Sequence, residues 1–204
     1  MKKQIVLVWA VVACLVGCNP KKTSENNSLK DSIAAAPEKE EAATIQVQYK
    51  PDSIKGSIKS QAIGKIGDVE IKISYYSPAV RGRIIWGGLV PFDKVWVTGA
   101  HSSTSIEFNR DLVIGDKTVP AGKYAFFSIP GKEDWTIILN KNWRQHLTDR
   151  YDEKEDVVRI KVKPETEDKN QERLRYVVEV DSSTAGEIVV YWEKLEVSLE
   201  FKLK

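Results

Sequence analysis

Beyond residue 50 the apolar and polar residues alternate along most of the chain with a period of two, not the 3.6 of a helix. Val69, Ile71, Ile73 and Tyr75 alternate with Glu70, Lys72 and Ser74, which predicts a strand with one buried and one solvated face. Val197, Leu199, Phe201 and Leu203 alternate still more cleanly with Glu196, Ser198, Glu200 and Lys202 and predict the last strand. Between them the pattern predicts strands over 104–108, 112–114, 123–129, 135–140, 157–163, 173–180 and 187–192. No segment sustains helical spacing for three turns. Gly115-Asp116 supplies the positive φ of a tight hairpin, and Pro130-Gly131 closes the next connection. Short strands, frequent turns and no interposed helices predict an all-β, antiparallel β-sandwich, with a closed β-barrel as the alternative.

The first 50 residues follow a different pattern. Met1-Lys2-Lys3 is a short basic head, and an apolar run follows from Ile5 to Val16. That run suits a signal peptide and is too short to span a bilayer. Leu15-Val16-Gly17-Cys18 resembles the lipobox of bacterial lipoproteins, in which cleavage leaves the cysteine as an acylated N-terminus. The expected organisation is a signal peptide over 1–17, a lipid on Cys18, a flexible tether over 18–50 and a β-sandwich domain over 51–204. Lys, Glu, Ser, Asn and Ala dominate the tether, which holds too few large apolar residues to offset the entropy of ordering. Asp31-Ser32-Ile33 and Asp52-Ser53-Ile54 match a three-residue O-glycosylation pattern, at a length that chance supplies.

Charge and cysteine content then exclude several functions. The 204 residues carry 31 basic and 29 acidic side chains, a net +2 that leaves no surplus for neutralising the phosphates of nucleic acid. Removing Lys2 and Lys3 takes the 31 bases to 29, equal to the 29 acids, so the mature chain has no net charge. The chain has two cysteines. With Cys14 lost in the signal and Cys18 acylated, neither a disulfide, a thiolate nucleophile nor a cysteine metal site is expected. Acyl chains hold a protein through their buried methylenes, about 0.8 kcal/mol each, without a transmembrane helix. Asn19-Pro20-Lys21-Lys22 lacks an early acidic cluster, so a periplasm-facing position on the outer membrane is expected.

Several motifs in the domain occur together in a fixed order. They are the stretch from Tyr76-Ser77-Pro78-Ala79-Val80-Arg81-Gly82-Arg83 to Trp86-Gly87-Gly88-Leu89-Val90-Pro91-Phe92, Lys94-Val95-Trp96, Thr98-Gly99-Ala100, Pro120-Ala121-Gly122-Lys123-Tyr124 and Trp135-Thr136-Ile137-Ile138-Leu139-Asn140. From about Ile66 to Lys204 the chain resembles the domain-of-unknown-function 2911 family of mostly exported bacterial proteins. The resemblance implies an exported all-β domain and no particular activity. It also implies an Arg after Lys-Val-Trp and an Asn-Glu pair after Gly-Ala, where this chain has Val97, His101 and Ser102. Losing a bidentate cation and a carboxylate would change which charged ligand fits.

The residues themselves suggest candidate chemistry. Arg81 and Arg83 flank Gly82, and on an extended chain both guanidiniums would point the same way, toward a carboxylate or phosphate or toward acids at a sheet rim. Gly87-Gly88 reads as a bulge or tight turn. His101 precedes Ser102, Ser103, Thr104 and Ser105, but no Gly-x-Ser-x-Gly elbow accompanies them. His101 and His146 could meet Asp149 or Asp152, yet no His-Glu-x-x-His spacing supports zinc, so neither a metal nor a cofactor is expected. The long connection over 140–156 holds Trp143, His146, Leu147 and Tyr151 among polar residues, a composition suited to amphipathic ligands or to capping the core. Trp86, Trp96, Trp135 and Trp192 read as core. Lys161, Lys163, Arg173 and Arg175 read as part of a mixed, solvated face.

The expected function is a lipid-anchored envelope protein that binds a small molecule, glycan or protein partner through Arg81, Arg83, His101, Trp143, His146 and Tyr151. The alternatives are an exported hydrolase using His101 or His146, and a structural component of an envelope complex.

Overall fold

A computed structural model describes residues 42–204, so the expected signal peptide, Cys18 and the tether to residue 41 lie outside the described residues. Ten strands form in this part: β1 (Ile58–Ile66), β2 (Val69–Ser77), β3 (Ser105–Phe108), β4 (Leu112–Ile114), β5 (Lys117–Val119), β6 (Gly122–Ile129), β7 (Trp135–Asn140), β8 (Asp156–Val162), β9 (Glu165–Val180) and β10 (Ala185–Leu203). They make a six-stranded sheet of order β1-β2-β3-β6-β7-β8 and a four-stranded sheet of order β5-β4-β10-β9. Every strand pair is antiparallel and neither sheet closes on itself. The fold is therefore the sandwich of the two expected architectures, and not the barrel.

Alternation along β2 buries Val69, Ile71, Ile73 and Tyr75, and along β10 Val197, Leu199 and Phe201, against one core between the sheets. Phe126, Ile137 and Leu139 point into that core, whereas their neighbours Ala125, Phe127 and Ile138 pack with Val97 into a second, smaller cluster. The six-stranded sheet is thus buried on both faces where β6 and β7 pair. Gly115, at φ 61°, makes the β4–β5 hairpin that the sequence predicts.

Four elements depart from the sequence pattern. β1 and β5 carry no clear apolar alternation, because the inward positions of β1 are Ser60, Ala62 and Gly64 before Ile66. There the opposite sheet comes very close: a Cβ on Gly64 would lie 2.4 Å from Val178 Cγ1. Gly64→Ala is accordingly expected to destabilise the fold by about 1–3 kcal/mol, the usual cost of overpacking, as read from urea unfolding. The segments 187–192 and 197–203 are one strand, β10, whose register with β9 shifts around Glu193 at φ 56°. β9 itself begins at Glu165, eight residues before the apolar pattern, as the partner of Leu195 and Glu196.

Ala43 to Gln48, which composition assigns to the tether, lies on the sandwich. The Ala43 amide donates to Lys59 O at 2.9 Å, Gln61 donates to Ala43 O at 2.8 Å, and Glu172 donates to Gln48 O at 2.7 Å. This strap runs from β1 in one sheet to β9 in the other, burying Ile45 and supplying partners to sheet edges that would otherwise be open.

Candidate functional site

The chain leaves the sheets twice at length, over 78–104 between β2 and β3 and over 141–155 between β7 and β8. The two excursions meet. Ser102 bridges His146, the Ser103 amide donates to Gln145 O at 3.0 Å, and the Leu147 amide donates to His101 O at 2.6 Å. The Ser103 hydroxyl donates to Trp143 O. The two regions singled out in the sequence are therefore neighbours in space.

Backbone strain concentrates here. Among the described non-glycine residues, positive φ occurs at Arg81 (51°), Asp93 (58°), Thr98 (47°), His101 (60°), Leu147 (44°) and Glu193, so all but the last lie in the two excursions. Positive φ is most costly for a β-branched residue such as Thr98 and persists only where surroundings over-determine it. Tyr176 Oη donates to Thr98 O at 2.8 Å, Thr104 Oγ1 donates to the same oxygen at 3.0 Å, and Thr98 Oγ1 donates to Ser128 Oγ at 2.9 Å. Burial pushes the Tyr176 hydroxyl well above its ordinary pKa, which keeps it a donor.

Between the excursions lies a cavity of about 600 Å³ at the end of the sandwich. Its walls are chiefly apolar, with Leu89, Val90, Trp96, Val97, Leu147 and Trp192, while Ser57 and Thr148 bring hydroxyls. Trp96 and Trp192 stack with ring centroids 5.6 Å apart and planes 19° from parallel. Trp86 and Trp135 pack edge-on against this pair, so the four tryptophans form one cluster in or against the core, as their sequence context predicts.

Among the described residues, Arg81 and Arg83 are the only ionisable ones lining the cavity. The expected extended Arg-Gly-Arg geometry is corrected by the structure: Arg81 at φ 51° and Gly82 at φ 68° make a turn. Both side chains nonetheless reach the same cavity. Arg83 Nε donates to Val80 O at 3.1 Å and its Nη2 to Ala79 O, while Arg81 Nη2 donates to Ile54 O. Neither forms an ion pair among the described residues.

Two buried residues that the sequence reading did not single out for this site hold it in place. At the β9 irregularity four successive residues, Gln171, Glu172, Arg173 and Leu174, are all buried. Glu172 Oε1 accepts the Arg81 amide at 2.8 Å and so fixes the turn. Arg173, expected on a solvated face with Lys161, Lys163 and Arg175, is only 1% exposed. It forks onto Asp52, with Nε to Oδ2 at 2.5 Å and Nη2 to Oδ1 at 2.7 Å, and reaches Ile54 O, Gly56 O and Ser77 O. The four basic residues do not share one solvated face, because β8 and β9 belong to different sheets. Hydrogen bonding to Arg173 holds the Asp52 carboxyl well below the usual carboxylate range. No local signal marks this pair, since 121 positions separate its members.

The remaining sequence candidates sit around the cavity and do not line it. His101 is exposed beside the lining residues Gly99 and Ala100, its ring edge-on to Tyr76 at 5.1 Å. His146 Nδ1 lies 3.1 Å from Asp149 Oδ2, and both side chains are exposed. Trp143 and Tyr151 pack on the second hydrophobic cluster, the capping role weighed for them. Lys123 Nζ and Arg144 Cζ lie 4.3 and 4.5 Å from the Trp143 ring centroid. Tyr151 Oη donates to Asp156 Oδ2 at 2.7 Å and accepts from Arg159 Nη1 at 2.8 Å. Burial, reinforced by Asp156, keeps the Tyr151 hydroxyl protonated far above its ordinary range. The Ser103 and Thr104 hydroxyls donate to backbone carbonyls, and among the described residues no hydrogen bond joins a serine to either histidine. Nor do three His, Cys, Asp or Glu side chains gather among the described residues.

Fold and site together define an antiparallel β-sandwich protein with an apolar end cavity, two arginines at its rim and strained loops around it. The chain belongs to the family described as protein of unknown function DUF2911, whose model matches residues 57–201. No curated protein and no solved structure matches it. Val97 is buried and lines the cavity, while His101 and Ser102 are exposed beside it.

Proposed function

We propose that this protein is a binding module of a bacterial cell envelope, anchored through an acylated Cys18 on the outer membrane and facing the periplasm, with the end cavity as its ligand site. The observation that carries the binding reading is the cavity itself: apolar walls, two arginines whose guanidiniums have no carboxylate partner among the described residues, and the hydroxyl-bearing Ser57 and Thr148. Cavities of this size with a few placed polar groups are the common form of small-molecule sites. A rim held in costly backbone conformations by buried Tyr176 and Glu172 fits a preformed site.

The test is thermal unfolding of the unacylated chain 19–204 against sugars, peptidoglycan fragments, short peptides and small organic acids. A ligand at a hundred times its Kd stabilises the fold by about 2.7 kcal/mol, expected as a Tm rise of roughly 5–10 °C. No shift with any class would remove the small-ligand reading in favour of a protein partner. The anchor is tested alongside: Cys18→Ser is expected to abolish labelling by a fatty-acid analogue and to release the protein from the membrane fraction. Unchanged labelling would place the lipid elsewhere.

A further inference from the structure

Resting on that cavity reading, we infer that its ligand is a single-chain anionic amphiphile taken from a lipid surface, its head held by Arg81 and Arg83 and its apolar chain laid against Trp96 and Trp192. The cavity combines two guanidiniums with predominantly apolar side chains, a lining that suits a ligand with one charged and one apolar part. Among the described residues the only ionisable groups lining it are the two guanidiniums, and no anion pairs with them. Each is already positioned: Arg83 by Val80 O and Ala79 O, Arg81 by Ile54 O and through its own amide by Glu172. Among the described residues Nη1 of each makes no hydrogen bond to the protein, which leaves donors for a carboxylate or phosphate. On the apolar side Leu89, Val90, Val97, Leu147 and half-buried Trp96, which is backed by its stack on buried Trp192, give walls that suit a hydrocarbon chain.

Two further observations point to a lipid surface as the source. Ile84 is 79% exposed, Leu89 46% and Leu147 39%, and the last two line the cavity while Ile84 accepts the Leu89 amide at 3.0 Å. Singly exposed apolar residues mean little, but three beside a cavity mouth that also carries two arginines have the makeup of a membrane-interface patch. The chain also enters the sandwich at this end. Ala43 pairs with Ser60, only three residues from cavity-lining Ser57, or about 10 Å along a strand.

Tryptophan fluorescence of the unacylated chain 19–204, titrated with decanoate, decanol and acetate, separates the components. Decanoate is expected to bind about 30-fold more tightly than decanol, the scale of one or two charge-assisted hydrogen bonds, and acetate far more weakly than either. Arg81→Gln with Arg83→Gln is expected to bring the decanoate-to-decanol ratio within about threefold. Arg83→Gln alone, on an exposed side chain, should narrow the ratio by about fivefold and gives a folded variant if the double one unfolds. Equal affinities for decanoate and decanol would overturn the anionic head while leaving the cavity as a binding site; no response to any of the three, with a silent ligand library, would overturn the binding reading itself. For the source, co-sedimentation with vesicles of phosphatidylglycerol and phosphatidylcholine is expected to exceed that with phosphatidylcholine alone and to fall in Ile84→Ser. Absence of co-sedimentation with both overturns the lipid surface.

Discussion

Replacing Asp52 with alanine is expected to destabilise the folded unit by about 3 kcal/mol, a Tm decrease of roughly 6–12 °C. The reason is what remains behind. Arg173 is 1% exposed and all of its N–H groups are engaged, two of them on Asp52 and the others on Ile54 O, Gly56 O and Ser77 O. Without the carboxylate a buried guanidinium loses its counter-charge, a change that costs 3–5 kcal/mol in typical buried pairs. The lower end applies because the Asp52 side chain is 25% exposed. Removing both partners, as in Asp52→Ala with Arg173→Leu, is expected to cost less than Asp52→Ala alone. Urea unfolding measures both, and a single-variant loss under about 1 kcal/mol would show that water replaces the carboxylate.

The same pair gives the fold an acid dependence. Hydrogen bonding to Arg173 holds the folded-state pKa of Asp52 below its ordinary 3.8. A depressed carboxylate adds stability that is present in full above the unfolded pKa and lost as pH falls toward the folded one. The native protein is therefore expected to lose this contribution below about pH 4, and Asp52→Asn to lack that part of the slope. Urea midpoints between pH 5 and pH 2 supply the comparison.

Trp135→Ala is expected to cost about 3–5 kcal/mol, as large-to-small changes of buried aromatics do. Trp135 is 2% exposed on β7, its ring 4.9 Å from Trp86 and 6.4 Å from Trp96. Truncation opens a void under Trp96, which forms a cavity wall, so stabilisation by any cavity ligand should weaken as well. Trp135→Phe keeps a ring in the cluster and should lose less than half as much. Equal stability of Trp135→Ala and the native chain in urea would mean that the neighbouring rings collapse into the space.

The strands that the sequence makes legible are those whose inner face is built of large apolar residues. β2 and the end of β10 read directly, because every buried position except Ser77 at the end of β2 is Val, Ile, Leu, Phe or Tyr. β1 does not, because close approach of the opposite sheet at Val178 requires Ser60, Ala62 and Gly64 inside. The first half of β9 does not either: its Glu-Thr-Glu-Asp-Lys-Asn run becomes a strand through pairing with β10. Arg173 is buried and not on the expected solvated face for a related reason, since an irregularity in β9 breaks the period of two at 171–174 and four successive residues are buried there.

The site was legible as parts. The Arg81-Gly82-Arg83 turn, the His101 region and the connection after β7 each stood out by composition or length, but which of their side chains share a cavity depends on contacts across the sandwich. Arg81 and Arg83 line it with Leu147 and Thr148, whereas Trp143 and Tyr151 cover the second cluster of the six-stranded sheet.

By itself the sequence determined an all-β domain, its antiparallel hairpins and its membership of a family, because periodicity, turn chemistry and ordered motifs are local properties of a chain. Only the tertiary structure decided that 78–104 and 141–155 meet, that Arg173 is buried on Asp52, and that Arg81 and Arg83 line one cavity with Trp96, Val97, Leu147 and Trp192. These contacts join residues tens to more than a hundred positions apart, and their partners are selected by the packing of two sheets, not by any neighbour in sequence.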